Sequence, residues 1–334
     1  MNTERRERSE CEQGRHSFPA PSFPEPAPAR MEARRGHLLS EIDRQAGSRA
    51  GRGAAPRSRR RVVLVLATAV AAGATAVVLG LGSGTPGAPR PVPPASVASV
   101  QLLERAALAA HAMPQGQARA GQYVYVKTVG HTSMLSEAED GRMNLLRVDE
   151  GMEQWTPVDG GQSTLRRKDG QDHLLPGTPG VGNLNAPTYS YLTTLPTEPE
   201  ALLKLIRDDA EQNHGAGSDS TTGPDQQAFV TIGDLLRNGV TPPETAAALY
   251  RAAALIPGVD IVPDAVDAAG RRGVAVARAH DGERTEWIFD RSTARLLGER
   301  TVLLEDNAWG EAGSVVTSVA LVDSAFVDAA GQTP

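Results

Sequence analysis

The segment TPPETAAALYRAAALIPGV, residues 241–259, contains the signals that most directly indicate the fold class. Thr241 and Glu244 have the spacing of a capping box, in which the threonine oxygen caps the first turn and the glutamate reaches back to the cap. Proline is tolerated there, because first-turn N–H groups lack helical partners. A helix that starts here would turn one face inward, formed by Ala246, Leu249, Tyr250, Ala253 and Ile256. We therefore predict a helix over 242–256 that Pro257-Gly258 ends and that a strand follows directly.

The chain after this helix consists of short apolar or alternating segments, as expected for β-strands. Ala269-Gly270, Asp281-Gly282 and Asp290-Arg291 separate them as turns. The predicted strands are 259–266, 273–279, 284–289, 296–303 and 314–322. Connections this short favour antiparallel hairpins over parallel crossovers.

The chain before this helix carries the same two kinds of signal. A second capping box, Thr197 to Glu200, predicts a helix over 198–210, and apolar spacing predicts two more at 96–112 and 226–238. Four predicted strands lie at 122–129, 143–148, 153–158 and 163–168. Strands, then helices, then strands predict an α+β domain with one curved antiparallel β-sheet and packed helices. It extends over 95–328, with a tail at 329–334.

The loop 170–187 is long and rich in Gly and Pro. Such loops are either mobile functional segments or simply irregular. The sequence leaves both interpretations open.

A 20-residue segment without charge, VVLVLATAVAAGATAVVLGL at 62–81, predicts a transmembrane helix. At 1.5 Å per residue it spans about 30 Å, the thickness of the bilayer hydrocarbon. The arginines directly before it are Arg57, Arg59, Arg60 and Arg61, and only Arg90 follows within twenty residues. The positive-inside rule then predicts a cytoplasmic N-terminus and an extracytoplasmic domain at the plasma membrane.

Two other interpretations of 62–81 fit the sequence less well. A cleaved signal peptide normally begins near the N-terminus, whereas 61 residues precede this segment. A buried core helix is disfavoured by the basic residues before the segment and by its Pro-rich exit. Residues 82–94 hold five prolines and three glycines, which predicts an extended tether.

Residues 1–61 form a basic arm with 14 arginines against 8 acidic residues, a net charge of +6. The rest has 20 basic and 32 acidic side chains, a net charge of −12. The arm is polar and proline-rich, so we expect it to be mostly disordered. Leu38, Leu39 and Ile42 have helical spacing, which indicates either a marginal helix or a docking site for a cytoplasmic partner. No nucleic acid partner is expected.

The sequence shows no pattern that indicates catalysis. The chain has no HExxH, GxSxG or phosphate-binding GxxxxGK motif, and its seven histidines are scattered. Its single cysteine, Cys11, excludes an intramolecular disulfide and a cysteine-based zinc or iron–sulfur site. We expect neither an enzyme nor a cofactor or metal. Trp155, Trp287 and Trp309 are the largest side chains, and we interpret them as core residues or as contacts to an apolar ligand.

Several segments resemble an uncharacterised family of actinobacterial single-pass membrane proteins. They are 93–107, 195–203, 232–236, 248–259, 267–276, 288–290 and 296–300, and Leu255-Ile-Pro-Gly-Val259 is the most specific. The resemblance covers about 31–325. It implies a role beside extracytoplasmic-function sigma factors. The architecture also looks similar to the lipoprotein-carrier (LolA/RseB-like) fold, which implies a lipid-like ligand. The arm lacks the Cys and His pattern of zinc-dependent anti-sigma domains, so zinc-dependent sigma binding is not expected.

Three functions follow as hypotheses. The first is a membrane-anchored sensor or regulator whose arm acts in the cytoplasm, and the resemblance implies a link to sigma-factor signalling. The second is a tethered module of the cell envelope that binds a lipid or lipoprotein without signalling, and it requires an apolar cavity between sheet and helices. The third is an envelope hydrolase, which no residue pattern supports. The sequence names neither the ligand, nor the partner, nor the oligomeric state.

Overall fold

The computed structural model describes residues 92–113, 116, 118–137, 143–177, 182–214 and 223–334. The basic arm, the predicted membrane helix at 62–81, and residues 82–91 of the predicted tether lie outside this part. So do the four arginines 57, 59, 60 and 61 and the docking residues Leu38, Leu39 and Ile42. Among the described helices, none combines the length and the hydropathy that a membrane crossing requires.

Five helices and ten strands make up the described chain. The helices are α1 (Val97–Ala112), α2 (Tyr189–Leu192), α3 (Pro199–His214), α4 (Pro224–Arg237) and α5 (Pro243–Ala253). The first five strands are β1 (Tyr123–Glu137), β2 (Met143–Asp149), β3 (Met152–Pro157), β4 (Thr164–Lys168) and β5 (Gln171–Leu175). The others are β6 (Val259–Val266), β7 (Arg272–His280), β8 (Glu283–Phe289), β9 (Leu296–Leu303) and β10 (Val315–Val327). All four long helices and nine of the strands correspond to predicted segments.

The strands form one sheet in the order β5-β4-β3-β1-β10-β9-β8-β7-β6, in which β2 also pairs with β1. Every pairing is antiparallel. The predicted α+β class, with an antiparallel sheet and packed helices, is confirmed. β1 and β10 join the two halves of the sheet, with Tyr123 opposite Val327 at one end. The last strand is therefore longer than the predicted 314–322.

The main core lies between the helices and one face of the sheet. Leu103 of α1, Phe229 of α4 and Leu249 of α5 are fully buried in it. Phe229 stacks on Trp287 of β8, with ring centroids 4.0 Å apart and planes 3° from parallel. Each such side chain contributes roughly 1.5–3 kcal/mol by leaving water. This packing fixes α1, α4 and α5 over the strands.

The opposite face carries a smaller cluster around Trp155, with Tyr123, Tyr125, Leu165 and Val327. The Trp155 indole N–H donates to the backbone oxygen of Gln332 at 2.5 Å. The C-terminal residues thus cover this cluster.

Both predicted capping boxes are wrong in detail. The carboxylate of Glu198, not the hydroxyl of Thr197, accepts from the backbone N–H of Ala201 at 3.0 Å. The residue before α5 is Pro242, which offers no side-chain cap, while the Thr241 hydroxyl donates to the Leu235 oxygen. The helix starts at Pro243, the second of two consecutive prolines, so Pro242 and not Thr241 occupies the N-cap position. In contrast, Ser96 caps α1 by accepting from the Ser99 N–H.

The segment 170–187 is only partly a loop. Its first residues form β5, which pairs with β4 through a two-residue turn at Asp169-Gly170. His173 therefore lies on an exposed strand, opposite Arg166. Further on, Thr188 caps the short helix α2, which the sequence reasoning missed because four residues are too few to show a helical period.

Candidate functional site

A cavity of about 710 Å³ lies between the helices and the sheet. Helices α1 and α5, the segment after α4, the β8–β9 turn and strand β10 surround it. Its volume falls within the roughly 300–1,000 Å³ typical of sites for small organic ligands. We take this cavity as the candidate site.

The helices leave space because they present small side chains towards the cavity. Ala106, Ala109, Ala110 and Met113 of α1 line it, and they recur at the spacing of a single helical face. α5 contributes Ala246 and Tyr250, one turn apart. Larger residues on α1 would fill the same volume, so the cavity follows from alanine on facing helices.

The lining changes from apolar to polar as its residues become more exposed. Its inner wall, meaning the buried lining residues, consists of Ala106, Leu236, Thr241, Ala246, Tyr250 and Ala294. Its mouth, meaning the exposed lining residues, consists of Met113, Gly116, Ser292, Thr293, Arg295, Val322, Asp323 and Ser324. The inner wall is mostly hydrocarbon and the mouth mostly polar. This gradient suits a molecule with an apolar body and a polar end.

Two charged lining residues are engaged within the fold. The carboxylate of Asp290 accepts hydrogen bonds from Ser292 and Thr293, which hold its pKa well below the usual range. Arg271 binds the buried Asp267 carboxylate and the carbonyl oxygens of Leu297 and Leu321. Both residues shape the rim of the cavity, which leaves Arg295 and Asp323 as the charged groups of the mouth.

Among the polar groups of the inner wall, the Tyr250 hydroxyl has no hydrogen bond within the described chain, whereas the Thr241 hydroxyl donates to Leu235. Only 6% of the residue is exposed, and its ring lies 5.8 Å from that of Phe289. Burial alone raises the pKa of Tyr250. The inner wall therefore presents one protonated tyrosine hydroxyl without an internal partner, beside the Thr241 hydroxyl that donates to Leu235.

A second polar cluster lies outside the cavity lining, between α4 and β9. Arg237 forms ion pairs with Asp234 and with Glu299, whose Oε2 lies 3.3 Å from the Arg237 Nε without hydrogen-bond geometry. Burial raises the pKa of Glu299 to about 7, and the charge of Arg237 opposes this shift. The Trp287 Nε1 also lacks a partner in the described chain. Gly233 makes room here, because a Cβ on it would lie 2.6 Å from that nitrogen.

The three predicted tryptophan contacts lie at separate places, and none lines the cavity. Trp155 is fully buried on the opposite face of the sheet, and Trp287 is stacked in the helix-side core. Trp309 lies in the loop between β9 and β10. Large aromatic residues fill volume, whereas this cavity arises where side chains are small. The alanine spacing of α1 was the sequence signal that would have located it.

Across the described ranges, no three His, Cys, Asp or Glu side chains are grouped so that they could hold an ion.

No family model matches the chain, and no curated protein matches it. Among solved structures, the chain is similar to MucB, determined in complex with MucA(peri), with 14% sequence identity and a TM-score of 0.21. The match covers 71% of this chain, and this chain spans 59% of the length of that MucB chain.

Proposed function

We propose that this domain is a binding module of the cell envelope that takes the apolar part of an amphipathic molecule into its cavity. The observation that carries the proposal is the gradient from an apolar inner wall to a polar mouth. The domain binds its ligand without converting it. In this proposal the segment 62–81 anchors the chain in the plasma membrane, where such molecules are abundant.

The energetics of this binding are favourable for an acyl or isoprenoid chain. Each buried methylene contributes about 0.8 kcal/mol, so ten of them supply about 8 kcal/mol before the costs of association. The inner wall offers mainly hydrocarbon to such a chain. Arg295, Asp323 and Ser324 at the mouth then face its polar end.

The test is native mass spectrometry on residues 92–334, with a variant that fills the cavity. Ala110→Phe projects a ring from α1 into the cavity, whereas Ala112→Phe adds the same ring at an exposed position outside the lining. We expect the wild type and A112F to retain a bound lipid-like mass and A110F to lose it, with similar unfolding midpoints. A wild type without bound mass, or equal retention in A110F, would contradict the proposal.

A second candidate function adds signalling to binding. The sequence observation that favours it is the basic arm, whose net charge of +6 contrasts with the acidic remainder. In this proposal, occupancy of the cavity changes a contact between the segment around Leu38, Leu39 and Ile42 and a cytoplasmic regulatory protein. Deleting residues 1–56 should then change sigma-dependent transcripts. Unchanged transcripts would contradict the signalling role, and ligand binding would remain as the proposed function.

A further inference from the structure

Tyr250 differs from the other buried tyrosines in what its hydroxyl contacts. The Tyr123 hydroxyl donates to Gln162, and the Tyr125 hydroxyl donates to Glu153 at 2.7 Å. The Tyr250 hydroxyl has no such partner in the described part of the chain, although the residue is 94% buried. Its oxygen is not among the fully buried atoms without a partner, so it opens on the cavity. Buried polar groups in proteins are nearly always hydrogen-bonded, so a ligand that displaces water from this hydroxyl must replace the hydrogen bond.

The partner position lies in the cavity. Tyr250 belongs to the inner wall, beside Ala246 and across from Ala106 of α1, and these neighbours carry no polar side-chain atom. Thr241, the other hydroxyl of the inner wall, already donates to the Leu235 carbonyl. Tyr250 is therefore the free donor at the buried end.

The ligand's chemistry follows from this donor. A saturated hydrocarbon against Tyr250 would displace water and leave the hydroxyl unpaired, which weakens binding. A ligand oxygen at the same place would accept the hydrogen bond. In a low-dielectric site such a bond discriminates strongly between molecules that differ in one oxygen.

We propose that the ligand carries a carbonyl oxygen at its buried end, as in a ketone, quinone or ester, and that the Tyr250 hydroxyl donates a hydrogen bond to it. This inference rests on the proposed binding function and specifies which class of apolar molecule the cavity selects. The polar end at the mouth and the buried carbonyl would thus be two separate recognition points. Simple saturated chains would bind more weakly than chains or rings with an internal carbonyl.

The experiment compares two probes on the full-length protein. α-Tetralone and tetralin share one carbon skeleton and differ in a single carbonyl oxygen. Their dissociation constants are measured by titration calorimetry for the wild type, Tyr250→Phe and Tyr189→Phe. Tyr189 is a matched control, because it is half-buried, packs against Phe326 and does not line the cavity.

We expect Y250F to weaken tetralone binding about tenfold, the loss of roughly one hydrogen bond, and to leave tetralin binding unchanged. Y189F should leave both constants unchanged. The inference is overturned if Y250F affects both probes equally or neither, or if Y189F has the same selective effect. It is also overturned if Y250F lowers the unfolding midpoint, because the hydroxyl would then have an internal partner. If the wild type binds neither probe, the proposed function itself fails.

Discussion

At the scale of single residues, the cavity wall depends on Gly239. Its φ of +94° is the left-handed region that glycine adopts readily. A Cβ at this position would also overlap Val126 Cγ2, a buried side chain of β1. Both requirements exclude other residues from this position between α4 and α5.

Gly239→Ala should therefore destabilise the protein by about 1–3 kcal/mol, measured by urea unfolding. Gly170→Ala is the control, because Gly170 has a φ of +74° but open space around it. The Gly170→Ala substitution should lower the free energy of unfolding by about 1 kcal/mol, from the backbone strain alone. Equal losses would mean that Val126 adjusts to the added methyl group.

Glu299 makes the stability depend on pH. Burial raises its folded-state pKa from 4.5 to about 7, so the folded protein binds this proton more tightly than the unfolded chain does. Stability should fall as pH rises from 4.5 to 7, by about 3 kcal/mol as an upper limit, and this contribution should be constant above 7.

Unfolding at several pH values with Glu299→Gln checks this prediction. The variant keeps the side-chain shape but cannot ionise, so it should lose this part of the slope. If the wild type and the variant have the same slope between pH 5 and 7, then Glu299 does not titrate in that range.

At the scale of elements, the first turn of α3 is capped by Glu198 and not by Thr197. The Glu198 carboxylate accepts from the backbone N–H of Ala201. A hydrogen bond with the Glu200 side chain, followed by the Ala201 N–H, lowers the pKa of Glu198. Glu198→Ala should lower the unfolding midpoint, since the first turn then loses its acceptor. Thr197→Ala should leave it nearly unchanged. If Thr197→Ala lowers the unfolding midpoint and Glu198→Ala does not, then Thr197 caps the helix as the sequence predicted.

At the scale of the whole molecule, the C-terminal residues close the face of the sheet opposite the helices. The Gln332 carbonyl accepts from the Trp155 indole, and Asp328 accepts from Arg119 and Gln122. These contacts join the end of the chain to residues near β1. The tail therefore contributes to the stability of β3 and β4, which hold Trp155 and Leu165.

A chain that ends at Asp328 should lose about 1–3 kcal/mol, because the buried Trp155 N–H loses its acceptor. Tryptophan emission should shift to longer wavelength as water reaches the indole. Gln332→Ala is the control, since it keeps the backbone carbonyl and should retain the wild-type emission. Emission that is unchanged in the truncated chain would show that the tail does not shield Trp155.

The sequence by itself determined the elements and the class. Local patterns were sufficient to predict the elements, because they depend on near neighbours in the chain. Helical spacing predicted the four long helices at 96–112, 198–210, 226–238 and 242–256, and alternating or apolar segments predicted nine strands. The exact caps were not predictable, since the two prolines at 242 and 243 shifted the helix start. The exposed strand β5 was not predictable from pattern either, because both of its faces are solvated.

Only the tertiary structure decided how the sheet closes and where the cavity lies. The pairing of β1 with β10 joins segments about two hundred residues apart, and no local pattern encodes that choice. From sequence alone, the alanines of α1 and Tyr250 of α5 are predicted to be ordinary core residues. Their role in lining the cavity follows only from the positions of the two helices relative to β10. A cavity is volume that several elements together leave unfilled, so it becomes visible only when all of them are packed.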